Sequence, residues 1–179
     1  VLTLLASNQA WSQGFPTKPI RLIVPFPPGG VDTTIRLIQN QMGDELGQPV
    51  ILENRGGANG FIGSDLVAKS APDGHTILAT TSSTLVAGPL VSSNVPFDPI
   101  RDFTPITMIY LTISTLGIKA TLPVGSVKEL IDYARKFPGK LSYGSSGIGS
   151  AQHLDGETFK QATGTDIVHI PYKGGGPQA

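Results

Sequence analysis

Three short segments have the residue types of an anion-binding site. They read IVPFPPGGVDTT, ENRGGANGFIG and SYGSSGIGSAQH, and each combines a strand, a glycine-rich turn and a helix start. The first turn of a helix has unpaired N–H groups and the positive end of the helix dipole, which together favour an anion. Glycine lets the backbone approach a ligand closely. We call residues 25–30, 55–60 and 145–150 loops 1, 2 and 3, and we predict that they bind an anion.

The third segment suggests what kind of anion this is. Residues 143–153 contain no lysine or arginine, so only backbone amides and hydroxyls are available there. Such neutral groups hold a carboxylate through several hydrogen bonds, each contributing about 1–2 kcal/mol. Release is easy because no buried ion pair has to be broken. The composition of this loop therefore favours a reversible carrier of a carboxylate over a catalyst.

A nucleotide site is not indicated by the glycine spacing. The chain has no G-x-x-x-x-G-K-[ST] motif, and Gly144, Gly147 and Gly149 are spaced G-x-x-G-x-G instead of G-x-G-x-x-G. Asp166 follows about twenty residues later but precedes its strand, whereas a ribose-binding acid follows one. We predict no nucleotide and no other cofactor.

The catalytic and metal-binding alternatives are also weak. Cysteine is absent, and the three histidines lack the spacing of metal ligands on a helix. Ser145 and Ser146 do not lie in a G-x-S-x-G elbow. Asp32 lies in the first turn of a helix, where it interacts favourably with the dipole. We predict no metal site and no catalytic residue, although His153 would be the titratable group of an enzymatic alternative.

Composition and the N-terminus indicate where the protein works. Thirteen basic and thirteen acidic residues cancel among 179, so no strong field attracts the chain to nucleic acid. The start, VLTLLASNQAWSQG, resembles the end of a secretory signal peptide, with cleavage after residues 10–12. The alternative is a short frayed helix. We predict a signal-peptide remnant over residues 1–13 and export from the cytoplasm.

The remaining chain alternates between strands and helices. Strand IRLIV, helix VDTTIRLIQNQMGDEL, strand PVILEN, helix FIGSDLVAK and strand HTILAT form a βαβαβ unit, which requires a parallel sheet. Two apolar runs, ITMIYLTI and STLGIKA, follow a proline-rich stretch and predict strands. Helix SVKELIDYARKF with a Ser126–Glu129 capping box, strand KLSYG, helix SAQHLDGETFKQAT and strand DIVHIPY form a second alternating unit. We predict an α/β protein with lobes at residues 14–104 and 105–179, the second one incomplete.

Five segments together resemble a known family. FPTKPIRLIVPFPPGG, VILENRGGANGFIGSDLVAKSAPDGHTIL, PFDPIRDFTPI, YGSSGIGSAQHLDGETFK and VHIPYKGGGPQA occur in the order found in the Bug family. These are the extracytoplasmic solute-binding proteins of tripartite tricarboxylate transporters. The resemblance implies a type II periplasmic-binding-protein architecture, with two lobes that close on a di- or tricarboxylate, an acidic amino acid or an aromatic acid. It also implies membrane transporter subunits as partners, and we expect a monomer.

The resemblance also implies which residues bind the ligand. Both lobes would contribute, partly through ordered water, with Tyr172 and Lys173 near the mouth of the cleft or its hinge. A solute sensor for a signalling partner, or an enzyme on the same scaffold, remains the alternative. The predicted binding residues are Phe26, Gly29, Gly30, Thr33, Gly57, Ala58, Ser145, Ser146, Gly147, Ser150, His153 and Tyr172.

Overall fold

The computed structural model describes residues 14–172, and the predicted leader and Lys173 lie outside them. The described chain is an α/β protein, as predicted. Its strands are Ile20–Val24 (β1), Val50–Asn54 (β2), Thr76–Leu78 (β3), Ser142–Ser145 (β4) and Val168–Pro171 (β5). Its helices are Val31–Leu46 (α1), Phe61–Ala68 (α2), Gly88–Val91 (α3), Val127–Lys136 (α4) and Ala151–Thr163 (α5).

The first sheet confirms the predicted βαβαβ unit. Its strands are all parallel, in the order β2-β1-β3. The central strand β1 is almost completely buried, because neighbouring strands and α1 cover it on several sides. Ile35 of α1 is 1% exposed and packs on this sheet, and Gly47 ends the helix in a left-handed conformation. The parallel arrangement places loops 1 and 2 at the same edge of the sheet.

The second sheet pairs β4 with β5, also in parallel. Helix α4 starts at the predicted cap, where the Ser126 hydroxyl accepts a hydrogen bond from the Glu129 N–H. The Glu129 carboxylate accepts from the N–H of Gly125, one residue earlier than in a standard capping box. Arg135 donates to the carbonyl of Thr163 and so links the ends of α4 and α5. Loop 3 joins β4 to α5.

The prediction of strands over residues 106–113 and 114–120 is wrong for the described chain. Residues 104–119 have no regular secondary structure, and Ile106, Leu111 and Ile113 are 80–90% exposed. A strand satisfies its backbone groups only by pairing, and no described strand lies beside this segment. Ser114 fixes it at one point by donating to the Asp155 carboxylate over 2.7 Å. The lobe boundary at residues 104 and 105 stays a prediction.

An ion pair joins β1 to β2. Glu53 accepts two hydrogen bonds from Arg21, at 2.8 and 3.1 Å, and one from Arg55 at 3.0 Å. The hydrogen bond from Arg21 is the main reason that the pKa of Glu53 falls to about 2, against the opposing effect of burial.

Glu53→Gln is expected to lower the free energy of unfolding by about 1 kcal/mol at pH 7, because the partners are partly solvent-exposed. A carboxylate with a depressed pKa stabilises the folded state above its unfolded pKa of about 4.5, and this contribution disappears as pH falls towards 2. Urea unfolding at pH 7 and pH 3 measures the difference. Glu45→Gln, on the exposed surface of α1, is the control. A Glu53→Gln deficit as large at pH 3 as at pH 7 would contradict this assignment.

Candidate functional site

Loops 1 and 2 pack directly against each other. The Asn54 side chain, at the end of β2, donates to the Phe26 carbonyl over 3.0 Å. A Cβ atom placed on Gly56 would lie 3.1 Å from the Pro27 ring, and one on Gly60 would lie 3.4 Å from the Phe26 ring. Glycine at these two positions therefore lets loop 2 pack closely on loop 1. The two loops form one continuous surface at the edge of the first sheet.

Loop 1 leads into an uncapped helix. Gly29 and Gly30 have φ angles of 107° and 55°, and no side chain accepts a hydrogen bond at the start of α1. Thr33 is exposed in the first helical turn. Asp32 is 4% exposed, and its Oδ2 accepts from Arg36 Nε over 3.0 Å. Burial alone would raise the pKa of Asp32, but the hydrogen bond from Arg36 contributes to a net lowering. The N–H groups of Asp32 and Thr34 donate to the carbonyls of Gly29 and Gly30. The start of α1 thus combines the remaining backbone donors of its first turn with a charged carboxylate that is paired with Arg36.

Loop 2 has an unusual backbone that its surroundings hold in place. Ala58 and Asn59 have φ angles of 48° and 53°, which non-glycine residues rarely adopt. Thr84 donates its hydroxyl to the Asn59 carbonyl over 2.9 Å, and Asn59 donates its amide to the Ser83 carbonyl over 3.4 Å. Gly57 lies at the start of this turn, with a φ of 131°. The π-helical turn at Ser83–Ala87 therefore stabilises the backbone of loop 2 through these hydrogen bonds.

The hydroxyl groups of loop 3 are hydrogen-bonded within the loop or to the elements beside it. Ser145 is fully buried, and its Oγ lies 2.6 Å from Nε2 of His169 and 3.2 Å from both the N and O atoms of Gly147. Ser150 caps α5 by accepting from the His153 N–H, and Ser146 donates to Gln152. These three serines therefore shape the loop. The N–H groups of Gly147, Gly149, Ser150 and His153 are also engaged within this region. Only the remaining backbone donors of loop 3 and of the first turn of α5 are left for a ligand.

A cluster of aromatic and titratable side chains lies behind loop 3. The ring of His169 stacks between the rings of His153 and Tyr143, with centroids 4.2 and 4.9 Å away. Tyr143 donates its hydroxyl to Glu157 over 2.8 Å. Burial, together with this hydrogen bond and the nearby charge, raises the pKa of Tyr143. Hydrogen bonds from Lys160 and Tyr143 lower the pKa of Glu157. We call His153, His169, Tyr143 and Ser145 the back wall of loop 3.

Loop 3 meets the first half of the chain at loop 2. A Cβ atom placed on Gly149 would lie 3.0 Å from Cγ2 of Val91, 3.5 Å from Nδ2 of Asn59 and 3.8 Å from Cα of Gly88. Loop 2 thus contacts loop 1 on one side and loop 3 on the other. Tyr172 also belongs to this region, because its N–H donates to the Ser145 carbonyl over 2.9 Å. All twelve predicted residues therefore lie on or directly beside three adjoining loops.

Other surface features do not coincide with these loops. A shallow groove of about 360 Å³ lies along the second half of α1, where Ile38, Met42 and Leu46 line it. This is the end of α1 remote from Gly30, so the groove shares no residue with loop 1. Within residues 14–172, no group of three or more acidic or histidine side chains is arranged to hold a metal ion. The same residues include no helix with the length and apolarity needed to cross a bilayer.

Four residues that support the three loops were not predicted from the sequence: Asn59, Thr84, Tyr143 and His169. The Asn59–Gly60 dipeptide is a signal for a left-handed turn, so the backbone of loop 2 was predictable in principle. His169 is 24 residues from Ser145, and only the parallel register of β4 and β5 brings the two together. No local pattern identifies such a pair.

The chain resembles proteins of known family and structure. The family model described as "Tripartite tricarboxylate transporter family receptor" matches residues 34–179. Protein BugT of Bordetella pertussis is 40% identical over 165 residues, which cover 91% of this chain and 51% of BugT. The R. palustris protein Rpa4515, solved with adipate, is 38% identical with a TM-score of 0.83, covering 92% of this chain and 56% of that one.

A solved structure with lower sequence identity also has a similar fold. MatC from Rhodopseudomonas palustris, solved with bound malate, is 28% identical with a TM-score of 0.79, covering 91% of this chain and 56% of MatC. The chain spans about half the length of the curated relatives that it matches. Since the family model covers most of the chain and the predicted motifs lie on adjoining loops, the chain belongs to the tripartite tricarboxylate transporter receptor family, the Bug-type periplasmic binding proteins.

Proposed function

We propose that this protein is an exported, monomeric solute-binding protein that captures a small carboxylate and delivers it to the membrane subunits of a tripartite tricarboxylate-type transporter. The observation that carries this proposal is the contact of loops 1, 2 and 3, which come from both halves of the chain. Their backbone donors, without a lysine or arginine in loop 3, suit reversible carboxylate binding. Similar proteins solved with adipate and malate support this ligand class.

The proposal assigns no catalytic step to the protein. Ser145 and His169 have the spacing of a nucleophile and a general base, with 2.6 Å between Oγ and Nε2. However, Ser145 has no exposed surface, so a substrate cannot approach its hydroxyl. The pair is better explained as part of the loop's internal support.

A thermal-shift titration tests the proposal. Adipate and malate are added to protein that has been unfolded, dialysed and refolded to remove any co-purified ligand. A ligand at a hundred times its dissociation constant adds about 2.7 kcal/mol to the free energy of unfolding. Adipamide, which has the same carbon chain without charge, is the control and is expected to have no effect. If neither these acids nor a wider panel of carboxylates raised the melting temperature, the proposal would be wrong.

A further inference from the structure

Two histidines stabilise the backbone of loop 3 at Gly147 and Gly149, one of them directly and the other through Ser145. His153 Nδ1 accepts a hydrogen bond from the Gly149 N–H over 3.1 Å. His169 acts through Ser145, whose Oγ accepts from the Gly147 N–H over 3.2 Å and lies 2.6 Å from His169 Nε2. Both glycines have positive φ angles, 132° and 79°. The imidazoles therefore contact loop 3 at two residues whose backbone has a positive φ angle.

The hydrogen bond from Gly149 defines the protonation state of His153. A ring nitrogen accepts a hydrogen bond only when it carries no proton, so His153 must be neutral with its proton on Nε2. Protonation of Nδ1 would place two donors 3.1 Å apart and break the contact with Gly149. If His153 were protonated, its positive charge would repel a positive charge on the ring of His169, whose centroid is 4.2 Å away.

Two charged side chains near His153 and His169 belong to α5, and they are Glu157 and Lys160. The uncharged phenol of Tyr143 belongs to β4. Glu157 accepts from both Tyr143 and Lys160, so its carboxylate is already engaged on the far side of the cluster. The charges of Glu157 and Lys160 act on His169 in opposite directions. Neither makes a hydrogen bond to the Nδ1 atom of His153, where the loop is held.

We propose that His153 and His169 are positioning residues, and that loop 3 keeps its anion-binding form only while the His153 ring is neutral. As a consequence, the affinity for a carboxylate falls when acid protonates Nδ1 of His153 and the hydrogen bond from Gly149 is lost. The binding consequence rests on the proposed function, whereas the control of loop 3 by His153 does not. If only the neutral form binds, the apparent affinity decreases about tenfold per pH unit below the titration midpoint.

The first test needs no ligand. The ¹⁵N-labelled chain is titrated from pH 8 to pH 5 by NMR, following the histidine rings and the Gly147 and Gly149 amides. We expect His153 to carry its proton on Nε2 at pH 8, and the Gly149 amide to shift with the same midpoint as the His153 ring. His75, whose Nε2 accepts from the Thr17 N–H in the first lobe, is the internal control. A Gly149 amide that does not follow His153 overturns the proposal.

The second test measures adipate affinity over the same pH range in the wild type, His153→Asn and His153→Leu. Asparagine places a carbonyl oxygen near the position of Nδ1 but does not titrate, so its pH slope is expected to be only that of adipate itself. Leucine removes the acceptor and is expected to weaken binding at every pH. An equal pH slope in wild type and His153→Asn overturns the proposal. Failure of all variants to bind any carboxylate would instead contradict the proposed function, and the NMR test would still decide the role of His153.

Discussion

Gly63→Ala is expected to lower the free energy of unfolding by about 1–3 kcal/mol, which is the usual cost of overpacking a rigid interior. Gly63 lies in α2, where the helix crosses the end of β1. A Cβ atom there would lie 2.7 Å from the carbonyl oxygen of Arg55, 2.7 Å from Cβ of Pro25 and 2.9 Å from its Cα. Backbone atoms cannot rotate away, so α2 and the edge of the sheet must separate.

Gly43→Ala provides the matched control for this prediction. Gly43 also lies within a helix, α1, but a Cβ atom there would be 3.4 Å from the nearest atom, the carbonyl oxygen of Gln48. Alanine is the better helix former by about 0.5–1 kcal/mol, so this variant should be neutral or slightly more stable. Urea unfolding of both variants measures the difference. Equal stabilities of the two variants would show that α2 is not packed as tightly on β1 as described.

Local periodicity was enough to predict most of the regular elements. The helix over residues 31–46 follows from its apolar spacing and from the glycine that ends it, and the structure has the same bounds. The three strands of the first sheet follow from short apolar runs between turn formers. In each case the information lies within about fifteen residues and does not depend on distant parts of the chain.

The segment of residues 104–119 shows where local patterns fail. Its alternating apolar and β-branched residues have a high strand propensity, yet propensity provides no hydrogen-bond partner. Whether such a run becomes a strand depends on a neighbour elsewhere in the protein. The π-helical turn at Ser83–Ala87 was missed for a similar reason, because its role is to support Asn59 from 24 residues away.

At the site too, features that are local in sequence were predicted, whereas contacts between distant residues were not. Glycine-rich turns before helices are local features, so the three loops were predicted from sequence. The back wall of loop 3 was not, since His169 reaches Ser145 only through the pairing of β4 with β5. Ser145 itself was predicted to face the ligand, but the structure places its hydroxyl behind the loop. Sequence thus identified the three loops that the structure brings together, and tertiary packing determines which of their polar groups are already paired.

Gly149→Ala is expected to weaken adipate binding about five- to 150-fold, provided that the protein binds adipate as proposed. Gly149 has a φ of 79° and lies where loop 3 meets loop 2 and α3. A Cβ atom there would be 3.0 Å from the Val91 side chain and 3.5 Å from the Asn59 amide. Relieving this crowding costs about 1–3 kcal/mol whenever the loops come together, which corresponds to that loss of affinity. Isothermal titration calorimetry measures it.

Gly164→Ala separates crowding from backbone strain. Gly164 ends the same helix that Gly149 precedes, has a φ of 61°, and has no heavy atom within 4 Å of a Cβ placed there. Both substitutions force alanine into a left-handed conformation at about 1–2 kcal/mol, so both should lower the melting temperature, and Gly149→Ala should do so at least as much as Gly164→Ala. Only Gly149→Ala should also reduce affinity, because only its side chain intrudes between the loops. If both variants lost affinity equally, the effect would come from destabilisation of α5, and the contact between loops 2 and 3 would have no role in binding.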